Sequence, residues 1–130
     1  MIKFELKNVN PKGRKTTDCV VRALTLATGK KYEEVFMELV DLSLKTGYFM
    51  NEKRLEEKFL ENNGFVKVKQ PRKWDNTKYQ IGEVDKLIKS GNDTPVIIRC
   101  AHHLTCVIGD TLYDLWDCRR KCISNYYVKR

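Results

Sequence analysis

The chain has 130 residues, of which 42% are hydrophobic, with a net charge of +8 and five cysteines. That length supports one domain, residues 1–130, with a substantial core, and no apolar run approaches the roughly 18 residues that a membrane-spanning helix needs. The odd thiol count prevents full pairing within the chain. The opening "MIKFELKNVN" has neither an apolar h-region nor a small-residue cleavage site, so the expected setting is a reducing cytoplasm without a membrane, where each thiol is buried, metal-bound or reactive.

A short strand is expected at Ile2 to Leu6, followed by a polar loop through Pro11 and Gly13. Thr17 or Asp18 can cap a helix from about Cys19 to Thr28 that stops at Gly29. Val20, Val21, Ala23, Leu24, Leu26 and Ala27 leave only a thin polar stripe on it, which marks a central helix. A second helix spans about Tyr32 to Lys45, its apolar residues Tyr32, Val35, Phe36, Leu39 and Val40 following helical spacing, and a third opens at Asn51 and ends before Gly64. The pattern then changes. "FVKVK" alternates as a strand does, a loop with Pro71, Trp74 and Gly82 leads to a short helix near Glu83 to Ser90, and "TPVIIRCA", "HLTCVI", "TLYDLW" and "NYYVK" read as strands. Helices before a mostly antiparallel sheet indicate an α+β fold.

The positive charge clusters near the start, between Lys67 and Lys73, and after Cys118. No stacking aromatics are read among these residues and no nucleic-acid motif is present, so they are expected to form a solvated surface. Nucleic acid or an acidic protein is the alternative partner. Trp74 and Trp116 read as core or loop anchors, Arg22 as the partner of an acid at the helix edge, and Cys106 as packing.

Two features carry chemistry. Cys19 stands at a helix N-terminus, where unpaired backbone N–H groups and the positive end of the helix dipole favour a thiolate; a small hydrophobe starting a buried helix is the plain alternative. His102 and His103 begin a strand that a tight turn joins to one containing Asp114 and Asp117. A nucleophilic thiol needs an imidazole, and the imidazole needs a third group to fix its tautomer. Hairpin register selects the acid. With a three-residue loop, Gly109 to Thr111, position 103 faces Asp117; with the two-residue loop Gly109-Asp110, Trp116 faces His103 while Asp114 lies across from Thr105 on the same side. Asp117 is the favoured orienter, with Asp114 in reserve. Strand alternation leaves the choice between the two histidines open.

A cysteine heading a buried helix, a histidine starting a strand 84 residues later and an acid on the next strand resemble the papain-like cysteine peptidase superfamily. More closely, "TTDCVVRALTLATGKKYEEV", "HLTCVIGDTLYDLWDC" and "NYYVK" resemble small phage and bacterial proteins of papain-like type, over about Asp18 to Tyr127. The resemblance implies a hydrolase of peptide or protein substrates with no cofactor, its catalytic residues mapping onto Cys19, His103 and Asp117. Such enzymes usually carry a glutamine about six residues before the cysteine to help form the oxyanion hole. Here that position is Gly13, which leaves Asn8, Asn10, Thr16 or Thr17 to join the Cys19 backbone N–H.

Two alternatives remain on the sequence. Cys100, His102, Cys118 and Cys122 crowd around the hairpin and could close a structural zinc site, although their spacing matches no common zinc ribbon. A papain-like module without catalysis could instead bind a host protein, or nucleic acid through its basic ends.

Overall fold

The computed structural model describes residues 1–88 and 93–130. Three helices lie in the first half: α1 (Cys19–Thr28), α2 (Tyr32–Thr46) and α3 (Lys53–Asn62). The strands are β1 (Lys3–Leu6), β2 (Phe65–Val68), β3 (Pro95–Cys100), β4 (His103–Ile108), β5 (Thr111–Asp114) and β6 (Asn125–Lys129), and a 3₁₀ turn occupies Ile81–Lys86. The helix expected near Glu83 to Ser90 is this shorter turn, and positions 89 and 90 lie outside the described residues.

All six strands join one sheet in the order β1-β5-β4-β3-β6-β2. Each adjacent pair is antiparallel except β1 with β5, which run parallel with Lys3 opposite Thr111 and Leu6 opposite Asp114. The fold is therefore mixed α+β. The parallel contact explains how a strand from the chain start comes to shield the hairpin's outer edge.

The two faces of the sheet bury different clusters. On one, Ile97, Leu104, Cys106 and Tyr127 pack against Leu24 and Ala27 of α1, Val35 and Leu39 of α2, and Leu55 and Phe59 of α3. On the other, Val96, Ile98, Val107 and Leu112 meet Ile2, Ile81, Val84, Cys118 and Ile123. Period-two alternation on β3 and β4 thus yields a sheet buried on both sides, the helices supplying one cover and irregular segments the other.

Helix α1 has the expected limits because its apolar run ends where Gly29 takes a left-handed conformation, φ 70°, and donates its N–H to the Thr25 carbonyl 3.0 Å away. Helix α2 departs from its pattern at one place. Val35 and Leu39 are buried, but Phe36 remains exposed, beside a cleft described below.

The hairpin register corrects a central expectation. Ile108 pairs with Thr111, Val107 with Leu112 and Cys106 with Tyr113, which is the two-residue Gly109-Asp110 loop. Gly109 has φ 63°, and glycine at the first position of a two-residue loop accommodates that conformation without a Cβ clash. The three-residue loop would have reversed which face every later residue presents.

Leu24 is fully buried in the helix-side cluster. Leu24→Ala is expected to lower unfolding free energy by about 2–5 kcal/mol in urea titrations while leaving the far-ultraviolet spectrum unchanged.

Candidate active site

The N-terminus of α1 points at the end of the sheet where β4 begins and β5 ends, and this crossing gathers the polar groups. The Cys19 thiol, half-buried, lies in the same cleft as His103 and Leu104, and both favour its thiolate. His103 Nε2 lies 2.7 Å from Asp114 Oδ2. Two strand ends and one helix start therefore bring the three side chains together.

Asp114 is almost fully buried and densely bonded. Its Oδ2 accepts from Thr105 Oγ1 at 2.6 Å, and its Oδ1 accepts from the Leu115 N–H at 2.7 Å and from an Arg22 guanidinium N–H at 3.0 Å. Burial alone would raise this carboxyl, but His103 and Thr105 outweigh it and bring its pKa down to about 2. His103 is likewise penalised by burial, yet Asp114, Cys118 and Cys19 together hold it well above the ordinary histidine range, as a cation. Burial opposes a thiolate at Cys19. His103 and the Leu104 backbone, with the positive charges of His103 and Arg22, reverse that and lower the thiol below its usual range.

Arg22 ties the helix to this cluster. Its Nε donates to Asp18 Oδ1 at 2.7 Å while its other arm reaches Asp114, and the side chains of Arg22, Asp18 and Asp114 are 7%, 8% and 2% exposed. One guanidinium is thus buried between two carboxylates on separate elements. Asp18 also accepts from Asn10 Nδ2 at 3.0 Å and from the Tyr32 hydroxyl at 2.8 Å. Consequently the residue at the N-cap position makes no side-chain cap, and the N–H groups of the first turn, including that of Cys19, are left without a side-chain acceptor from Asp18.

The expected residues divide into those assembled here and those set apart. Cys19 and His103 meet, but Asp117 does not join them: it lies half-exposed in a two-armed pair with Arg119, Nε to Oδ1 and NH2 to Oδ2 both 2.8 Å. The acid beside His103 is Asp114, because the shorter loop places it across from Thr105 on the His103 side. His102 is not a strand residue. It occupies the β3–β4 turn with φ 57°, exposed, at the rim of the cleft. Asn8 and Asn10 direct amide N–H groups to the Arg14 carbonyl and to Asp18, while Thr16 and Thr17 are exposed.

The expected zinc ligands do not converge either. Cys122 is exposed on a bridge to Gln80 and His102 points from its turn, leaving Cys100 and Cys118 as the buried members. Among the described residues, the group with metal-ligating atoms close together is His103, Asp114 and Cys118, all within 4.8 Å of one another. Two atoms bound to one tetrahedral zinc lie about 3.3 Å apart at ordinary bond lengths. The 2.7 Å between His103 and Asp114 is instead hydrogen-bond distance.

Trp116 contributes a further contact. Its ring centroid lies 5.0 Å from that of His103 at a 47° tilt, so a residue read as an anchor covers one side of the imidazole. A cleft of about 250 Å³ opens over Cys19, walled by Asn51, Lys53, Glu56, Arg99 and His102. Glu56 and Arg99 form a buried ion pair, and Arg99 also reaches the Tyr127 hydroxyl. A second hollow of about 360 Å³ shares Val20, Asn51 and Glu56 and adds the exposed aromatics Phe36 and Phe49. The cleft is polar over the sulfur and apolar beside it. Of these residues Arg22 had a sequence signal, a lone cation four residues after Asp18 on an apolar helix; Glu56 and Arg99 had none.

Compared with protein-family models, curated proteins and solved structures, the chain matches none.

Arg22→Met would strand two buried carboxylates and is expected to cost about 3–5 kcal/mol of stability in urea titrations at neutral pH. Asp114 has a folded-state pKa below its ordinary 3.8, so its contribution is complete above that value and is lost as pH falls toward about 2. Asp114→Asn should accordingly flatten the stability loss in this acid interval, measured as denaturation midpoint against pH.

Proposed function

We propose that the chain is a thiol hydrolase of papain-like type, cleaving an amide, peptide or isopeptide bond with Cys19 as nucleophile, His103 as proton carrier and Asp114 as orienter. The observation that carries this reading is a thiol at an uncapped helix N-terminus, sharing a cleft with an imidazole whose Nε2 is 2.7 Å from a buried carboxylate.

The chemistry follows from the order of charges. With His103 already protonated, the Cys19 sulfur attacks the substrate carbonyl as a thiolate, and the C–S bond forms as the carbonyl oxygen gains negative charge. The N–H of Cys19 is positioned to receive that charge, since a first-turn N–H has no partner within the helix. Collapse of the tetrahedral adduct expels the amine, which takes the proton from His103. Water, deprotonated by His103, then cleaves the thioester, releasing the carboxylic acid and restoring the thiolate beside a protonated His103. Asp114 retains its negative charge throughout and keeps the ring's Nε2 engaged, while Arg22, Thr105 and the Leu115 N–H hold Asp114 itself.

A metal-binding reading draws on the proximity of His103, Asp114 and Cys118. It would use the same imidazole, so the two readings exclude each other. The protein purified without added metal is expected to contain far less than one zinc per chain by elemental analysis. One zinc per chain that protects Cys19 from alkylation would favour the metal.

Iodoacetamide at pH 7, followed by peptide mapping, tests the hydrolase reading. Cys19 should be modified before the more exposed Cys122, and His103→Ala should slow Cys19 by a factor of at least roughly ten. Equal rates for all five thiols would remove the nucleophile.

A further inference from the structure

The loop between β2 and the 3₁₀ turn makes no use of the candidate active site. It folds back on itself through an Arg72–Lys78 bridge, with the Lys73 N–H donating to the Thr77 carbonyl at 2.9 Å and the Asn76 N–H to the Lys73 carbonyl at 2.8 Å. Asp75 Oδ1 accepts from both the N–H and the hydroxyl of Thr77, and Asn76 sits at φ 69°. At the tip of this tightly bonded turn Trp74 is 98% exposed. The expectation that it anchors a loop is corrected: the turn is held by backbone and polar bonds, and the indole contributes nothing to its burial. A large aromatic kept in solvent by an ordered turn offers an open ring face on which a flat base can stack.

The charge around it is predominantly positive. The base of the turn runs beside residues 119–123, with Ile123 N–H to the Tyr79 carbonyl at 2.8 Å, Ile81 N–H to the Lys121 carbonyl at 2.9 Å and Gln70 Nε2 to the Ile123 carbonyl at 2.8 Å. Residues 69–86 and 117–122 together hold eight of the 25 basic residues and four of the 17 acidic ones, a net +4 and half of the chain's total. Lys73 and Arg119 are committed to Glu83 and Asp117. Among the described residues, Lys69, Arg72, Lys78, Arg120 and Lys121 have no ion-pair partner, and all five are exposed. Trp74 directly follows Arg72 and Lys73 in the sequence, but the sequence does not reveal which way the turn points.

We propose that this turn and the adjoining basic segment bind single-stranded nucleic acid, an unpaired base stacking on Trp74 while Arg72, Lys78, Arg120 and Lys121 contact phosphates. Stacking on an indole accepts any base, and unpaired cations supply affinity by releasing counterions. A lipid surface fits less well, since the neighbours of Trp74 at the tip are Asp75, Asn76 and Thr77, which provide no further apolar area to insert.

The test is fluorescence anisotropy of a labelled 20-nucleotide oligothymidylate at several salt concentrations. The intact chain should bind with affinity that falls linearly in log–log against salt. Trp74→Ala should weaken binding roughly tenfold with the salt slope unchanged. Lys78→Gln combined with Lys121→Gln should reduce the slope by about 1.4. Because the replaced side chains are exposed, the circular dichroism spectrum should not change. Undetectable binding, equal affinity in Trp74→Ala, preference for a duplex, or Trp74-dependent capture by anionic phospholipid vesicles with the oligonucleotide ignored would overturn the proposal.

Discussion

The arrangement depends on one buried guanidinium. Arg22 lies between Asp18, one turn earlier on its own helix, and Asp114, 92 residues later at the end of a strand. Such a triad is costly to desolvate, and its three members are retained together or not at all: losing one leaves charge buried without compensation. Its geometric consequence is that the start of α1 cannot slide along the sheet. Cys19 is adjacent to Asp18 in the chain and His103 is bonded to Asp114, so the same ion pairs that lock helix to strand also set the sulfur against the imidazole.

This also accounts for the unusual start of α1. An aspartate at an N-cap ordinarily turns its carboxylate back onto the first backbone N–H groups. Here that carboxylate is taken by Arg22, Asn10 and Tyr32. The helix gives up a contribution of about 1 kcal/mol from capping, and in exchange the positive end of its dipole faces Cys19 without a competing anion. Tyr32 gains from the arrangement too: burial and the Asp18 charge push its hydroxyl up to about 12, so it remains a donor throughout the neutral range.

Much of the architecture was legible because apolar spacing is a local property. The limits of α1, the strand from His103 to Ile108 and the strand from Asn125 to Lys129 follow from runs of Val, Ile, Leu and Tyr bounded by turn residues. What escaped depended on long-range or single-residue decisions. The parallel pairing of Lys3–Leu6 with Thr111–Asp114 has no local signature. The identity of the acid turned on one residue of loop length, and with it the parity of every side chain after Gly109, which exchanged Asp117 for Asp114. His102 and His103 could not be separated by alternation because only one of them belongs to the strand; the other bends the turn at positive φ, an uncommon conformation for a residue other than glycine. Trp74 and Phe36 show the same limit for exposure. Their hydrophobicity predicts burial, while the surrounding backbone holds them outward.

The central claim is that Asp114, fixed by Arg22, keeps His103 charged against the Cys19 sulfur. Ring ¹⁵N chemical shifts of His103, assigned by comparison with His103→Gln, measure this directly. At pH 7.5 the account predicts an imidazolium with both nitrogens protonated, reverting to a neutral ring in Asp114→Asn. A neutral His103 in the unaltered chain at that pH, or one indifferent to the Asp114 substitution, would contradict it.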